Sequence, residues 1–322
     1  CMEYRGKQDL WVRQRPAIVE ALRQEAMVLS VESSNRIEGV TVSTERLRPL
    51  VLGKARPRDR SEEEVAGYRR ALEWIFAGKS RLPLSTKTLL GLHKMSHAGA
   101  TDAGPFKVRD KEIIEIKPSG ERIVRFRPTP AGETPAAAGA LCESFSRLTS
   151  GGKAPPLLLT ATAILDFLCI HPFRDGNGRV SRLLTNMLLK EQGFVVCRFV
   201  SLERLVEESK EEYYRVLGEC SAGWAEGRNK ILPWWNYFLT ILRRAYVEFG
   251  EKMEQSGGAR GKSEIVRHAA LSQMGPFTLA QVAAAVPDTS QAMVKKVLAA
   301  MREEGLLTLE GRGRGARWQV VQ

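Results

Sequence analysis

The chain has 322 residues, long enough for two domains and a sizeable core. Its 49 Lys and Arg outnumber 37 Asp and Glu, and the net charge of +12 favours polyanionic partners without fixing a fold. Cys1, Cys142, Cys169, Cys197 and Cys220 are odd in number and include no Cys-x-x-Cys pair, which argues against a disulfide framework or a zinc site and fits a reducing cytoplasm. No apolar run reaches ~18 residues and no leader is evident, so a soluble protein with no membrane partner is expected. Cys1 before Met2 is odd for a natural start and suggests a fragment or a residue added at the terminus.

An N-terminal helical region is expected over 1–80. Within it, Pro16 suits a first helical position and Gly39 a position just past a helix end, so 16–38 reads as a helix carrying Ile18, Leu22, Met27, Leu29 and Val31. Glu38 then falls in the last turn, where the helix dipole disfavours a carboxylate by roughly 0.3–1 kcal/mol. After a basic, turn-rich stretch at 53–61, Ser61-x-x-Glu64 reads as a capping box. The helix it would open runs to Phe76, with Val65, Tyr68, Leu72, Ile75 and Phe76 on its apolar side.

A second region, 81–254, begins with a helix over about 85–96 that bears His93 and, just beyond it, His97. The pair has metal-ligand spacing but lacks the glutamate of a zinc protease motif, so packing is the preferred reading. Ile113 to Ile116 and Ile123 to Phe126 read as two short strands around Lys117-Pro118-Ser119-Gly120. Helices are expected over 135–148 and 157–170, the second apolar on nearly all sides and therefore buried.

Between that buried helix and the next lies His171-Pro172-Phe173-Arg174-Asp175-Gly176-Asn177-Gly178-Arg179-Val180-Ser181-Arg182. Gly176, Asn177 and Gly178 let backbone N–H groups converge at a helix N-terminus, which makes an anion seat. Arg179 and Arg182, one turn apart, are placed to face one anion together. Asp175 supplies a hard oxygen ligand suited to Mg²⁺ shared with a nucleotide. His171, with an ordinary pKa near ~6.5, can accept a proton at neutral pH.

These residues resemble the signature of the Fic domain family, His-x-Phe-x-Asp/Glu-Gly-Asn-Gly-Arg-x-x-Arg, and match it at every specified position. The resemblance implies transfer of AMP from ATP to a hydroxyl side chain (Ser, Thr or Tyr) of a target protein, itself included, with loss of pyrophosphate. By the same resemblance His171 is the base, Asp175 holds Mg²⁺, Gly176 to Gly178 cradle phosphates, and Arg179 and Arg182 neutralise the outer phosphates. Ser34-Asn35-Arg36-Ile37-Glu38-Gly39 resembles the family's inhibitory motif, which implies that Glu38 pairs with Arg182 in competition with the γ-phosphate. In some relatives this glutamate instead activates water to remove AMP. The hairpin resembles the family's flap, so Ile123, Val124, Arg125 and Phe126 would dock an extended segment of the target. Tyr213 and Tyr214, on a helix expected over 202–218, resemble positions beside the adenine. Ser221 stands where some relatives place Asn.

Beyond a helix beginning near Trp234, 255–262 reads as a flexible linker. In 263–322, helices over 263–274, 279–286 and 291–304 are followed by strands 306–310 and 316–321 around an Arg/Gly turn. This order resembles a winged helix. From Ala259 onward there are nine Lys/Arg against five Asp/Glu, a balance that suits either DNA or a protein partner. The expected architecture is therefore all-α: a Fic-like helical core with a small flap hairpin, plus a C-terminal winged helix domain. A DNA-binding regulator whose core senses nucleotide is the alternative, as is transfer of another nucleotide; oligomeric state stays open.

Overall fold

Residues 1–14, 16–78, 81–116, 121–152, 154–255, 259–273, 275–287, 289–311 and 316–321 are described by the structure, a computed structural model. Helices α1 (Met2–Gln14), α2 (Pro16–Ile37), α3 (Thr44–Val51), α4 (Arg60–Ala77) and α5 (Thr86–Ser96) precede a hairpin of β1 (Ile113–Ile116) and β2 (Arg122–Phe126). Then follow α6 (Thr134–Gly151), α7 (Pro156–Ile170), α8 (Asn177–Glu191), a 3-10 turn (Val195–Arg198), α9 (Leu202–Glu208), α10 (Lys210–Ser221) and α11 (Leu232–Gln255). The chain ends with α12 (Ala259–Leu271), α13 (Leu279–Ala285), α14 (Gln291–Glu303), β3 (Leu307–Glu310) and β4 (Arg317–Val320).

Two compact units divide these elements: Cys1 with Ala26–Tyr246, and Met2–Glu25 with Val247–Gln322. The division falls within α2 and α11 and not at 255–262. Of that expected linker, 256–258 lie outside the described residues, while Gln255 ends one helix and Ala259 already begins the next. In the first unit α7 lies at the centre: Ala161, Leu165, Phe167 and Cys169 are all but inaccessible, and α8 contributes Val180, Leu183, Leu184, Met187 and Leu189 to the same core. Such near-complete apolar burial of two consecutive helices holds the loop between them rigidly. All five cysteines are free thiols, and no helix of the described residues is long and apolar enough to cross a membrane.

In the second unit the side chain of Thr278 accepts a hydrogen bond from Gln281 N–H while Gln281 Oε1 accepts from Thr278 N–H, a complete capping box for α13. Val266, Phe277, Val282, Val294, Leu298, Met301, Leu307 and Trp318 form the core of this region. β3 and β4 pair antiparallel, and Phe277 bridges to Trp318. The expected turn between these strands falls at 312–315, and that of the first hairpin at 117–120; both lie outside the described residues.

Within the helical region expected over 1–80, α1 and α3 add two helices that were not individually delimited, and two local expectations are corrected. The N-cap of α4 is Asp59, whose carboxylate accepts from Glu62 N–H; Ser61 lies inside the helix, and Glu64 turns into the core at 4% exposure. The helix expected over 202–218 is two helices. They break at Ser209, whose hydroxyl donates to Leu205 O and bonds Tyr237 Oη at 2.9 Å, so a side-chain network interrupts the backbone ladder.

Candidate active site

α7 ends at His171, which closes the helix in the left-handed region (φ 50°, ψ 61°) and is the only non-glycine residue with positive φ among the described residues. The backbone then crosses Pro172 and Phe173 to Gly176 (φ 75°), the N-cap of α8. Asn177 staples this crossing: its Oδ1 accepts from Phe173 N–H at 3.0 Å and its Nδ2 donates to Phe173 O at 2.8 Å. Its side chain is thereby committed to the loop, leaving backbone N–H groups as the anion donors of the nest.

From α5, His93 supports the same loop. Gly104 N–H donates to His93 Nδ1 at 2.9 Å, which fixes Nδ1 as an acceptor, so Nε2–H donates to Asp175 O at 3.1 Å. The ring stacks on Phe173 with centroids 3.9 Å apart. Burial, then the neighbouring His97, push the His93 pKa down to about 4, in keeping with a neutral structural imidazole. Both His93 nitrogens are thus occupied, and the His93–His97 spacing serves packing.

Glu38 lies just past the end of α2, and its carboxylate meets Arg182 on the second turn of α8. Arg182 Nη2 donates to Glu38 Oε1 at 2.7 Å and to Ser34 O at 2.9 Å, and Nε donates to Ser34 Oγ at 2.8 Å. A Cβ built on Gly178 would sit 2.2 Å from Glu38 Oε1. The carboxylate therefore rests against the glycine nest, in the place where an anion would be received. Burial opposes the charge on Arg182, but Glu38, with Tyr68 and Tyr213, more than offsets it and holds the guanidinium protonated.

Arg179 does not join Arg182. Its guanidinium is buried in an ion pair with Glu64, donates to His97 Nδ1 at 2.9 Å, and reaches Ser96 O. The expectation that both arginines face one anion is thus corrected. At about 100° per residue, a three-residue step leaves the two side chains about 60° apart, and Arg179 falls toward α4 and α5.

Burial tends to raise the Asp175 pKa, but Gly176 N–H and the charges of Arg179, His97 and Lys111 hold it below the usual carboxylate range. Asp175 is exposed. A single ionised, accessible carboxylate fits Mg²⁺ held jointly with phosphate oxygens and water. Among the described residues no group of three or more His, Cys, Asp or Glu is arranged to hold a metal without such help.

His171 is more buried than exposed, and its pKa is pushed down to about 4, first by burial, then by the charges of Lys111 and Lys107. It is neutral, and so able to accept a proton, throughout the neutral range. The two tyrosines of α10 part company. Tyr213 is buried, packed on Trp234 and Tyr237 with centroids 5.9 Å from each; Tyr214 is 46% exposed. Beside Arg182 an apolar cavity opens, walled by Tyr213, Trp234, Tyr237 and Phe238. Ser221 is buried, its hydroxyl donating to Gly218 O at 3.1 Å.

On the flap, β1 and β2 pair antiparallel with a register shift between Ile113 and Ile114, and Ile114 faces Val124. Val124 and Arg125 are exposed, Ile123 and Phe126 half-buried. Two groups of residues outside the motif escaped sequence reasoning. Lys107 and Lys111, in a stretch without periodicity, bond to carbonyls of the 170–174 backbone. Glu203, at 1% exposure, accepts from Ser30 Oγ at 2.6 Å, Tyr68 Oη at 2.9 Å and Asn186 Nδ2 at 2.8 Å.

Residues 83–189, which run from α5 through the glycine nest and most of α8, match the model of the Fic/DOC family, and this stretch is a Fic domain. Among curated proteins the chain is similar to the protein adenylyltransferase Fic of Drosophila erecta, 26% identical over 192 residues, covering 57% of this chain and 36% of that protein. It is likewise similar to that of Nematostella vectensis, 26% identical over 210 residues, 62% of this chain and 44% of that one. The chain thus spans less than half the length of these relatives. A crystal structure of a Fic family protein from Desulfovibrio desulfuricans G20 superposes with TM-score 0.59 at 20% identity, covering 93% of this chain and 87% of that chain. A Fic domain containing signaling protein from Bacteroides thetaiotaomicron does so with TM-score 0.62 at 24% identity, covering 76% and 93%. These two likenesses establish the helical Fic fold.

Proposed function

We propose that the chain is an autoinhibited protein adenylyltransferase that moves AMP from ATP to a hydroxyl side chain of a target protein. The observation that carries this reading is the Glu38–Arg182 pair seated on the Gly178 nest, with a neutral His171 at the head of the same loop. The naming of the curated relatives as adenylyltransferases supports it.

In the proposed reaction the target hydroxyl oxygen attacks the α-phosphorus, His171 takes the hydroxyl proton, and the bond to the leaving pyrophosphate oxygen breaks. A positioned base of this kind contributes a factor of about 10²–10⁴. The nest N–H groups and Arg182 receive phosphate oxygens once Glu38 withdraws. Asp175 would hold Mg²⁺, which when bound offsets the charge of the phosphates. Arg179 supports the nest from beneath through Glu64. Val124 and Ile114 offer an exposed strand pair for an extended target segment.

The test is label transfer from ATP radiolabelled on the α-phosphate, compared between the native chain and Glu38→Gly, with lysate proteins as acceptors. Covalent label that depends on His171 supports the reading, and its absence from the released variant refutes it.

The element order and shared core of 259–321 support reading this part as a winged helix, with Lys295, Lys296 and Arg302 exposed on α14. We propose duplex DNA as its partner. A titration at stated salt tests this, since phosphate contacts give an affinity that falls steeply with ionic strength.

A further inference from the structure

Lys107 is 5% exposed, yet it lies in an irregular stretch between α5 and β1. Burying a lysine is costly unless its ammonium finds acceptors. Here Nζ donates to Ile170 O at 3.1 Å and to His171 O at 2.9 Å, the carbonyls that α7 leaves without a helical partner at its end. The backbone N–H of Lys107 donates to Pro172 O at 2.9 Å. One residue thus grips three consecutive carbonyls, at 170, 171 and 172. Its flanks reinforce the grip: Phe106 packs on Phe173 with centroids 5.7 Å apart, and Lys111 Nζ donates to Arg174 O at 2.6 Å.

The gripped residue is the one that needs it. A left-handed conformation costs a non-glycine residue roughly 1–2 kcal/mol, and His171 has no glycine's freedom to adopt it. Its Nδ1 is buried without a well-formed hydrogen bond, so no side-chain partner orients the ring in the way a carboxylate orients many catalytic histidines. Orientation falls instead to the backbone, and the backbone is held by Lys107.

We propose that Lys107 is a positioning residue for His171, fixing the left-handed turn from which the imidazole reaches the reacting hydroxyl. The inference rests on the role proposed above for His171. The charged groups that act on this imidazole are Lys111 and Lys107 from the stretch before the flap and Glu38 from the end of α2, with the backbone of Leu168 in α7 also acting on the ring. Burial and Lys111 push Lys107 down to about 8, Asp110 opposing, so its ammonium is charged at neutral pH.

The experiment uses the full chain carrying Glu38→Gly, with Lys107→Met, Lys107→Gln and Lys107→Arg added singly. The chain has four histidines, so ¹⁵N–¹H spectra resolve the His171 ring, assigned by its loss in His171→Ala. In the Met variant the His171 ring resonances are expected to shift and its pKa to rise from about 4. The kcat for AMP transfer should fall at least tenfold with KM for ATP within twofold. Arg, which keeps charge and donors, should restore most of kcat, and Gln, a neutral donor, should exceed Met. Unchanged His171 resonances and kcat in the Met variant would overturn the proposal. If Met does not fold, equal kcat for Gln and Arg with unmoved ring signals overturns it just as well. Should Glu38→Gly transfer no AMP at all, the reaction assignment fails while the ring spectra still decide what Lys107 does.

Discussion

Glu38 and Arg182 stand 144 positions apart in the chain and meet at 2.7 Å, the carboxylate lying against the backbone of Gly178. The pair is mostly desolvated, with the side chains 23% and 8% exposed. A carboxylate at the C-terminal end of α2 opposes that helix's own dipole. It persists there because Arg182 and the N-terminal end of α8 outweigh the penalty. Whatever else binds this nest must displace a group already chosen for the same electrostatics.

The buried Glu64–Arg179 pair makes a first prediction about what Arg179 does. Removing one partner of a buried ion pair costs about 3–5 kcal/mol when the other is left uncompensated; Glu64 keeps the exposed Arg60 at 3.0 Å, which places the loss at or below the low end of that range. Arg179→Met should therefore lower the melting temperature by several degrees, while ATP affinity measured in the Glu38→Gly background stays within twofold. Weakened ATP binding at unchanged melting temperature would put Arg179 back on the phosphates.

Glu203 makes a second. Replacing it with Ala strands Ser30, Tyr68 and Asn186, three buried polar groups whose acceptor is lost, at roughly 1–3 kcal/mol each. The variant should lose at least about 3 kcal/mol, a fall of about 6–12 °C in melting temperature for a unit of this size. Ser30 lies on α2, which is also tied to α9 by the Arg36–Glu207 pair, so α2 should loosen before the core melts. Hydrogen exchange across 26–37 reads this directly; unchanged protection there would contradict it.

Acid sensitivity gives a third. His93 and His171 both have pKa values pushed down to about 4, against about 6.5 in an unfolded chain. As pH falls from 6.5 toward 4 the unfolded state takes up protons that the folded state refuses, so stability falls in that window and is level above it. Urea unfolding at pH 7.5 and pH 5.0 should show a lower midpoint at the acid value. Equal midpoints would mean that neither imidazole is held neutral by burial.

Which parts of this site could be read from the sequence follows from how local each signal is. The loop at 171–178 was legible only as a conjunction: His171, Asp175, two glycines and two arginines in register between two core helices, in the order of the Fic signature. Glu38 was legible through the resemblance of 34–39 to the inhibitory motif, since a carboxylate at that helix end is by itself an ordinary solvated residue. The divergence of Arg179 from Arg182 was not legible, since a three-residue step places two side chains on one face only to within about 60°. Asp59 displaced Ser61 as the cap of α4 because Glu64, the other half of the expected box, is drawn inward by Arg179. The break at Ser209 depends on Tyr237, and Lys107 depends on carbonyls of the 170–172 backbone. Those are tertiary partners that no periodicity announces.

The most direct test of the plugged site is the rate of AMP transfer from α-labelled ATP by Glu38→Gly relative to the native chain. Freed of the carboxylate, Arg182 and the Gly178 nest should receive the triphosphate, and the rate should rise at least tenfold, about 1.4 kcal/mol of barrier. His171→Ala in the same background should remove the label. An unchanged or lower rate in Glu38→Gly would show that the Glu38–Arg182 pair does not restrain the reaction.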